Sequence, residues 1–382
     1  MKPIRIFCVA GDDARLRLPL ILDLRRRGFD VTAVGSDDPR PFVESNVPYH
    51  RYSLTRDLRP MSDARSFSHL LRLFKEQRPD VVHAFATKPA LLAPIAARRA
   101  GVPCVVRTIA GMGSVFSSQS LPYLALRPLY RLLQRRASEA STVTVFQNEE
   151  DLEYFRRNDL VPRGRERLVR SSGIDPATLA AAVPGRDDLT RLRESLGLNG
   201  HLVVTMVSRL LKHKGVREFI SAARQVRSVM PGTAFLLVGP AHPEGFKGVS
   251  VAEVEASSAD VTYLGPRGDV PALLAMSDLV VLPSYYREGV PRVLLEAGAL
   301  GLPLITTDMP GCREVVRDAW NGLLVPPRDA SALAAAIRRL LSNRDERLSM
   351  GRRNREHVPE QFSLERVAGA HAEIYRTALG RV

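Results

Sequence analysis

Cysteine is scarce in this 382-residue chain: Cys8, Cys104 and Cys312 stand far apart with no paired spacing. That argues against a disulfide framework and against a zinc site, both of which need cysteines or histidines at short fixed intervals. A reducing cytoplasm is the simplest setting. Aromatic residues make up only 6% of the chain, with one Trp, and they form no stacking clusters. Without such clusters or any recognised recognition module, a nucleic-acid-binding protein is disfavoured. No apolar run reaches the length that crosses a bilayer. The opening stretch, MKPIRIFCVAG, is too short and too charged for a signal peptide. A cytoplasmic protein with no spanning segment is expected. No low-complexity tract and no fixed-period repeat is present.

What the chain does have is size and positive charge. Its length exceeds that at which one core usually stops growing, so two domains are the natural division. The net charge is +14, and it is uneven. Residues 51 to 140 hold fifteen Arg or Lys against five acids (Asp57, Asp63, Glu76, Asp80, Glu139), a surplus of ten. Such a patch attracts anions: acidic lipid head groups, phosphorylated substrates or nucleic acid. The alternative is an ordinary solvated basic surface.

Short apolar runs alternate with helical patterns. Ile4 to Ala10 reads as a strand, Leu18 to Arg27 as a helix ended by Gly28, and Val31 to Val34 as a strand. Leu70 to Glu76 is helical, Val81 to His83 extended, Pro89 to Ala100 helical and Val105 to Thr108 extended. Residues 177 to 200 are polar and Gly-marked and read as a linker. A second series follows: Leu202 to Ser208, Val216 to Val229, Ala234 to Val238, Val270 to Ala275, Leu279 to Pro283, Pro291 to Leu300, Leu304 to Thr307 and Ala332 to Leu341. Strand, helix, strand with short turns is the signature of a parallel sheet covered on both faces. The expected fold class is α/β, with two doubly wound, Rossmann-like domains facing across a cleft. The first spans 1–185 and the second 200–360, with a C-terminal helix at 361–382 packing back toward the first.

Open α/β sheets bind ligands beyond the carboxyl ends of their strands, so motifs are sought just after strands. Val9-Ala-Gly-Asp-Asp places Gly11 where backbone amides can approach an anion, though an ordinary turn fits equally. SRLLKHKG, residues 208 to 215, follows the first strand of the second series and carries Arg209 and Lys214. Two fixed cations there suit a diphosphate, Arg as a fork and Lys as a point charge. YYREGVPRVLLEAGALG, residues 285 to 301, puts Glu288 in a turn and Glu296 in an apolar helical run. Pro291 fits the first helical position, leaving the amides of Gly289 and Val290 at a positive helix end. Glu296 lies roughly 7.5 Å further along that axis. A carboxylate among Val293, Leu294 and Leu295 needs a partner: the vicinal hydroxyls of a ribose, or an arginine such as Arg292 or Arg313.

Glu288 and Glu296 form E-x7-E. With Arg209, Lys214, Gly215, the Leu264-to-Val270 stretch, Pro310-Gly-Cys-Arg-Glu314 and Asn321-Gly322, the chain resembles glycosyltransferase family 4, the retaining GT-B enzymes, over nearly its whole length. Glu-Gly-Val-Pro, Pro-Gly-Cys-Arg-Glu and the Arg17-Leu-Pro19 entry to the first helix are similar to the bacterial branch that adds hexoses or N-acetylhexosamines to polyprenyl-diphosphate-linked glycans. The resemblance implies a nucleotide-sugar donor, expected to be a UDP-sugar, with Arg209 and Lys214 on the diphosphate and Glu296 on the ribose. It implies Glu288 with the Gly289 and Val290 backbone on the donor sugar, and Arg267 beside the base. Transfer with retention, no metal and no cofactor is implied, as is a lipid-linked glycan acceptor. Ala110 stands where many members carry a sugar-contacting His; Arg17, His83 and Lys88 remain as acceptor-side candidates, His83 reading more readily as a packed strand-end residue. Ser120 to Arg136 alternates large apolar residues with Arg127, Arg131, Arg135 and Arg136, as interfacial segments do, and Pro128 is expected to split it into two short helices. The alternative is an ordinary domain helix with one buried face. Peripheral attachment to an anionic membrane surface, at the inner face of the cytoplasmic membrane, follows as an expectation. The rival readings are a nucleotide-sugar epimerase of the same shape and a basic nucleic-acid-binding protein.

Overall fold

The computed structural model describes residues 2–55, 59–117, 121–242 and 248–381; Arg56, Asp57 and Ser120 of the basic stretch lie outside them. Contacts divide the chain into two units: Met1–Gly173 with Arg287–Val290 and Leu364–Val382, and Ile174–Tyr286 with Pro291–Ser363.

The first unit carries strands β1 (Arg5–Val9), β2 (Asp30–Gly35), β3 (Tyr49–Arg51), β4 (Val81–Ala84), β5 (Cys104–Ile109), β6 (Val143–Phe146) and β7 (Glu166–Leu168). They pair in parallel in the order β3-β2-β1-β4-β5-β6-β7. Between them run α1 (Leu18–Arg26), α2 (Arg40–Glu44), α3 (Pro60–Gln77), α4 (Pro89–Arg99), α5 (Gly113–Ser117), α6 (Leu121–Ala140) and α7 (Glu149–Arg157). The second unit carries β8 (Leu202–Val207), β9 (Thr233–Val238), β10 (Thr262–Gly265), β11 (Leu279–Leu282), β12 (Leu304–Thr307) and β13 (Gly322–Val325), parallel in the order β10-β9-β8-β11-β12-β13. Its helices are α8 (Pro176–Ala181), α9 (Arg186–Ser195), α10 (Val216–Arg227), α11 (Val251–Glu255), α12 (Val270–Ala275), α13 (Arg292–Ala299), α14 (Cys312–Val315), α15 (Ala330–Ser342) and α16 (Arg344–Phe362). A last helix, α17 (Leu364–Ala378), belongs to the first unit.

The strands read as unbroken apolar runs because both faces of each sheet are covered. In β1, Ile6 and Cys8 join a core with Ile21, Leu24, Val367 and Tyr375. Phe7 and Val9, pointing the other way, pack with Leu70, Phe74, Ala93 and Ala97. In β8, Val204 and Met206 meet Phe219, Val226, Ile337 and Leu340, while Val203 meets Leu273 and Met276. Burial pushes the Cys8 and Cys104 thiols up to about 12, so both are inert packing groups.

Three expectations need correction. Residues 177 to 200 are not a bare linker, since α8 and α9 occupy most of them. Helix α9 has no fully buried residue, and its apolar stripe is thin, Leu189 and Leu192 continued by Leu196 just past its end, all only partly buried; Arg193 ties it down by donating to Met276 O at 2.6 Å and His201 O at 2.8 Å. The helix expected from Leu70 begins ten residues earlier, at Pro60. The segment expected to split at Pro128 is one helix of 20 residues, α6. Proline removes one amide bond and crowds the preceding turn, but other contacts hold the helix. Tyr130 packs edge-on to Phe116, 5.4 Å between centroids. From β5, the fully buried Arg107 donates to Gln134 Oε1 at 2.9 Å, Ser138 Oγ at 2.7 Å and Thr144 Oγ1 at 3.2 Å.

Burial pulls the Arg107 guanidinium down to about 9, which leaves it protonated at neutral pH. Arg107→Ala removes these bonds, strands the acceptors and opens a cavity. A loss on the order of 3 kcal/mol is expected from the denaturant midpoint, with α6 released from the sheet.

Candidate functional site

Each sheet has one point where the strand order reverses, the place where open α/β sheets form their ligand crevices. In the second unit it lies between β8 and β11. The turn after β8 carries Arg209, then a 3-10 turn at Lys212–Lys214, then Gly215, which caps α10 in the left-handed region at φ 81°. The loop after β11 lies against that turn: Tyr285 N–H donates to His213 O at 3.0 Å, and the Tyr286 and His213 rings stack 4.5 Å apart. A Cβ on Gly215 would come within 2.1 Å of Pro283 O, so the two loops touch backbone to backbone. Arg209 is exposed and Lys214 half-buried.

The same crevice gathers groups the sequence reading missed. The Arg328 guanidinium lies over the Tyr285 ring, 4.6 Å from its centroid. Arg328 itself holds φ 64°, rare for a residue with a side chain. Glu218, in the first turn of α10, has its carboxyl raised by burial, while its backbone hydrogen bond and the charges of Arg328 and Arg217 act the other way. Nothing local in the sequence joins residues 218, 285 and 328, and only the sheet order brings them together.

Helix α13 starts at Arg292, with Pro291 as its N-cap rather than its first helical residue. Its positive end is therefore formed by the amides of Arg292 and Val293. Glu296, 19% exposed, accepts from Arg292 Nε at 2.7 Å, the arginine alternative foreseen for it. Leu294 and Leu295 are fully buried beside it. Arg267, after β10, forms a two-pronged pair with Asp269, Nε to Oδ1 2.8 Å and Nη2 to Oδ2 2.5 Å. Asn321 is a structural residue: buried, it bonds Val315 O and Asn354 Oδ1, both at 2.8 Å.

Glu288, Gly289 and Val290 count with the first unit. Glu288 forms an antiparallel bridge with Gly111, and Gly289 N–H donates to Ala110 O at 3.2 Å. The expectation of a free Gly289 amide at a helix end is thereby corrected, since a protein carbonyl takes it. Val290 is buried.

In the first unit the order reverses between β1 and β4. Gly11 follows β1, buried, with its N–H turned to Asp13 Oδ1 at 3.3 Å. Arg17 lies over the Phe85 ring, 5.0 Å from its centroid, with Nη2 3.6 Å from Asp13 Oδ2. Lys88 donates to Asp63 Oδ1 at 2.5 Å and Thr55 O at 2.8 Å. His83 sits in the core rather than at a strand mouth. It is 0% exposed, with Nδ1 2.6 Å from Tyr375 Oη and Nε2 2.7 Å from Thr108 Oγ1. Burial first, then the charges of His371 and Arg17, hold its pKa well below the usual value. A neutral imidazole with both nitrogens bonded inside the protein has no atom left for an acceptor.

Among the described residues no cluster of three or more His, Cys, Asp or Glu is placed to hold a metal ion. No helix among them is long and apolar enough to cross a membrane.

Comparisons with known proteins match this geometry. Residues 189–357 fit the family model described as Glycosyl transferases group 1, and residues 18–171 fit the Glycosyl transferase 4-like domain. The UDP-Gal:alpha-D-GlcNAc-diphosphoundecaprenol alpha-1,3-galactosyltransferase of Escherichia coli is 30% identical over 76% of this chain and 74% of that one. The N,N'-diacetylbacillosaminyl-diphospho-undecaprenol alpha-1,3-N-acetylgalactosaminyltransferase of Campylobacter jejuni is 26% identical over 96% of both chains. Among solved structures, Anabaena HepE in complex with UDP and glucose superposes with a TM-score of 0.81 at 20% identity, covering 98% of this chain and 100% of that one. WaaG, a glycosyltransferase involved in lipopolysaccharide biosynthesis, gives 0.75 at 20% identity, covering 97% of this chain and 99% of that one. The fold is GT-B.

The Gly215 contact yields a direct test. Gly215→Ala is strained in its backbone and collides with Pro283 O, so a drop of about 1–3 kcal/mol in stability is expected, read from the melting temperature. A variant as stable as the parent would mean that the turn can shift freely.

Proposed function

We propose that this chain, which belongs to glycosyltransferase family 4, the group 1 glycosyltransferases, moves a hexose or N-acetylhexosamine from a UDP-sugar to a polyprenyl-diphosphate-linked glycan with retention at the anomeric carbon. That it is a glycosyltransferase follows from the family; donor, acceptor and stereochemistry are our reading. The observation that carries it is the β8/β11 crevice, where fixed cations stand at the carboxyl edge of a parallel sheet. The acceptor class is supported by two relatives named for transfer to undecaprenyl-diphosphate sugars, and the donor class by UDP bound in a structural neighbour.

In this reading Arg209 and Lys214 hold the diphosphate, Glu296 exchanges its Arg292 contact for the ribose hydroxyls, Arg267 flanks the base, and Glu288 faces the donor sugar. The bond from the anomeric carbon to the diphosphate oxygen breaks as the acceptor hydroxyl attacks the same face. The leaving phosphate takes the hydroxyl proton, so no protein nucleophile takes part. Charge grows on the diphosphate in the transition state, and preorganised cations are worth more there than in the ground state. Neither a metal nor a cofactor enters the proposal.

Helix α6 supports a membrane-surface location. Its buried face is Tyr130, Gln134, Ala137 and Ser138, whereas Leu121, Leu126, Leu129, Leu132 and Leu133 are exposed, Leu121 by 81%. Arg131, Arg135 and Arg136 are exposed among those leucines. Apolar side chains interleaved with cations suit the head-group boundary of an anionic bilayer, on which the protein would sit peripherally at the cytoplasmic face. Arg127 has a different task, donating to Val115 O at 3.2 Å and Phe116 O at 3.4 Å.

Glu296→Gln is expected to weaken UDP-sugar binding by about 1.5–3 kcal/mol in calorimetry, because the amide loses the charge-assisted ribose bonds. Its melting temperature is expected to hold, since a partly exposed i,i+4 helical ion pair contributes little. Intact affinity with a lowered melting temperature would assign Glu296 to the Arg292 pair alone. Arg209→Ala and Lys214→Ala are each expected to slow acceptor-dependent UDP release by orders of magnitude, with Mg²⁺ or EDTA changing little. Strict metal dependence would overturn the mechanism, and turnover of donor without acceptor would favour an epimerase.

For the membrane, the parent is expected to co-sediment with phosphatidylglycerol vesicles and to leave them at high salt, each basic residue contributing about 1 kcal/mol that screening removes. Arg135→Glu with Arg136→Glu and Leu132→Gln spares the buried face and Arg127. If this triple variant still sediments like the parent, α6 is only a domain helix.

A further inference from the structure

The short segment Arg287–Val290 is held by more contacts than a turn requires, and they converge on the first turn of α7. Asn148 caps that helix, its Oδ1 accepting from Asp151 N at 2.8 Å. Its Nδ2 donates to Asp151 Oδ2 at 3.0 Å and to the backbone carbonyl of Glu288 at 3.3 Å. Asp151, 0% exposed, accepts on Oδ1 from Arg287 Nη2 at 2.8 Å. The Arg287 guanidinium also lies 5.7 Å from the Tyr154 ring centroid, one turn further along α7. On the opposite side Met112 N–H donates to Arg287 O and Gly289 N–H to Ala110 O, each at 3.2 Å, framing the Gly111–Glu288 bridge. The fit leaves no slack: a Cβ on Gly111, which sits at φ 102°, would meet Arg287 O at 2.5 Å, and one on Gly289 would meet Gln147 Oε1 at 2.1 Å.

The Arg287 side chain is drawn inward to a buried carboxylate and the Glu288 carbonyl is turned to the Asn148 amide, so the course of the backbone at Glu288, from which its side chain starts, is set by the first turn of α7. We propose that Arg287 and Asp151 are a positioning pair whose ion pair fixes the direction in which Glu288 is presented. This rests on the reading of Glu288 as the residue that faces the donor sugar. Fold stability is a weak reason for the pair, because desolvating both charges offsets most of their attraction and an apolar pair of similar shape would hold the loop as well. What an apolar pair would not supply is direction. A guanidinium bonded through Nη2 to a buried carboxylate cannot turn outward without leaving that charge uncompensated, and so the register of the segment has a single setting.

The test compares Asp151→Asn, Arg287→Ala and Glu288→Gln in the full chain. UDP affinity is measured by calorimetry, and kcat and KM with whichever of UDP-galactose, UDP-N-acetylgalactosamine and UDP-glucose the parent turns over. The expected result is a fall of roughly tenfold or more in kcat for both pair variants, the size typical of a misplaced reacting group, with UDP affinity unchanged. Millimolar guanidinium is expected to restore part of the Arg287→Ala rate and none of the Glu288→Gln rate. If Glu288→Gln is slow while the pair variants keep the parent kcat, the positioning role is refuted and the donor-sugar reading stands. If the pair variants lose rate and UDP affinity together, in step with a lowered melting temperature, the pair only holds the fold. If Glu288→Gln keeps the parent rate, the donor-sugar reading itself fails, and the positioning role with it.

Discussion

A parallel strand must leave its sheet at the carboxyl end and return over a helix, so a buried parallel sheet gathers all of its exits along one edge. Chemistry in this chain depends on that constraint. In the second unit it brings the turn after β8 against the loop after β11, although residues 213 and 285 are far apart in sequence, and the contact is tight enough to demand glycine at 215. Arg209 and Lys214 are carried on a backbone braced from beneath. Helix α10 begins at the same place, so the dipole of that helix and the two side chains act in the same direction on an anion.

Much of this could be read from the chain because buried parallel strands are nearly all apolar and their helices keep a periodic stripe. Leu202–Val207, Leu304–Thr307 and Val270–Ala275 announce themselves in that way. Helix α9 escapes notice because its short apolar stripe is only partly buried and stands among charged residues. Helix α6 was obscured by Pro128, whose local penalty is outweighed by contacts made elsewhere in the unit. Among site candidates, Arg209, Lys214 and Glu296 stand out by their spacing after strands. His83 carries two readings because a histidine at a strand end looks the same whether its ring faces water or two hydroxyls in the core, and the packed reading is the one that holds. The Asp151–Arg287 contact spans 136 residues, and its one local signal, an Asn–x–x–Asp helix cap, describes half of what those residues do.

Helix α6 mixes polarity on both faces. Inward, Gln134 and Ser138 meet a buried guanidinium beside Tyr130 and Ala137, and outward, five leucines stand among arginines. Hydrogen bonds to a charged partner are stronger than those between neutral groups, so the sheet can retain the helix without its leucines. Those side chains are then available to something other than the core.

The return of α17 to the first unit has a consequence for how the protein is made. Its Val367, Ala368, Ala372 and Tyr375 complete the core that covers one face of the first sheet, and the Tyr375 hydroxyl is the partner of the buried His83. A ribosome delivers those residues only after the whole of the second unit. The earlier-made unit must wait with part of one sheet face uncovered and with the His83 imidazole lacking one of its two partners, and its final closure joins residues made on either side of the second unit. Contacts so distant in sequence close slowly, and a face left open that long is the sort of surface a chaperone binds.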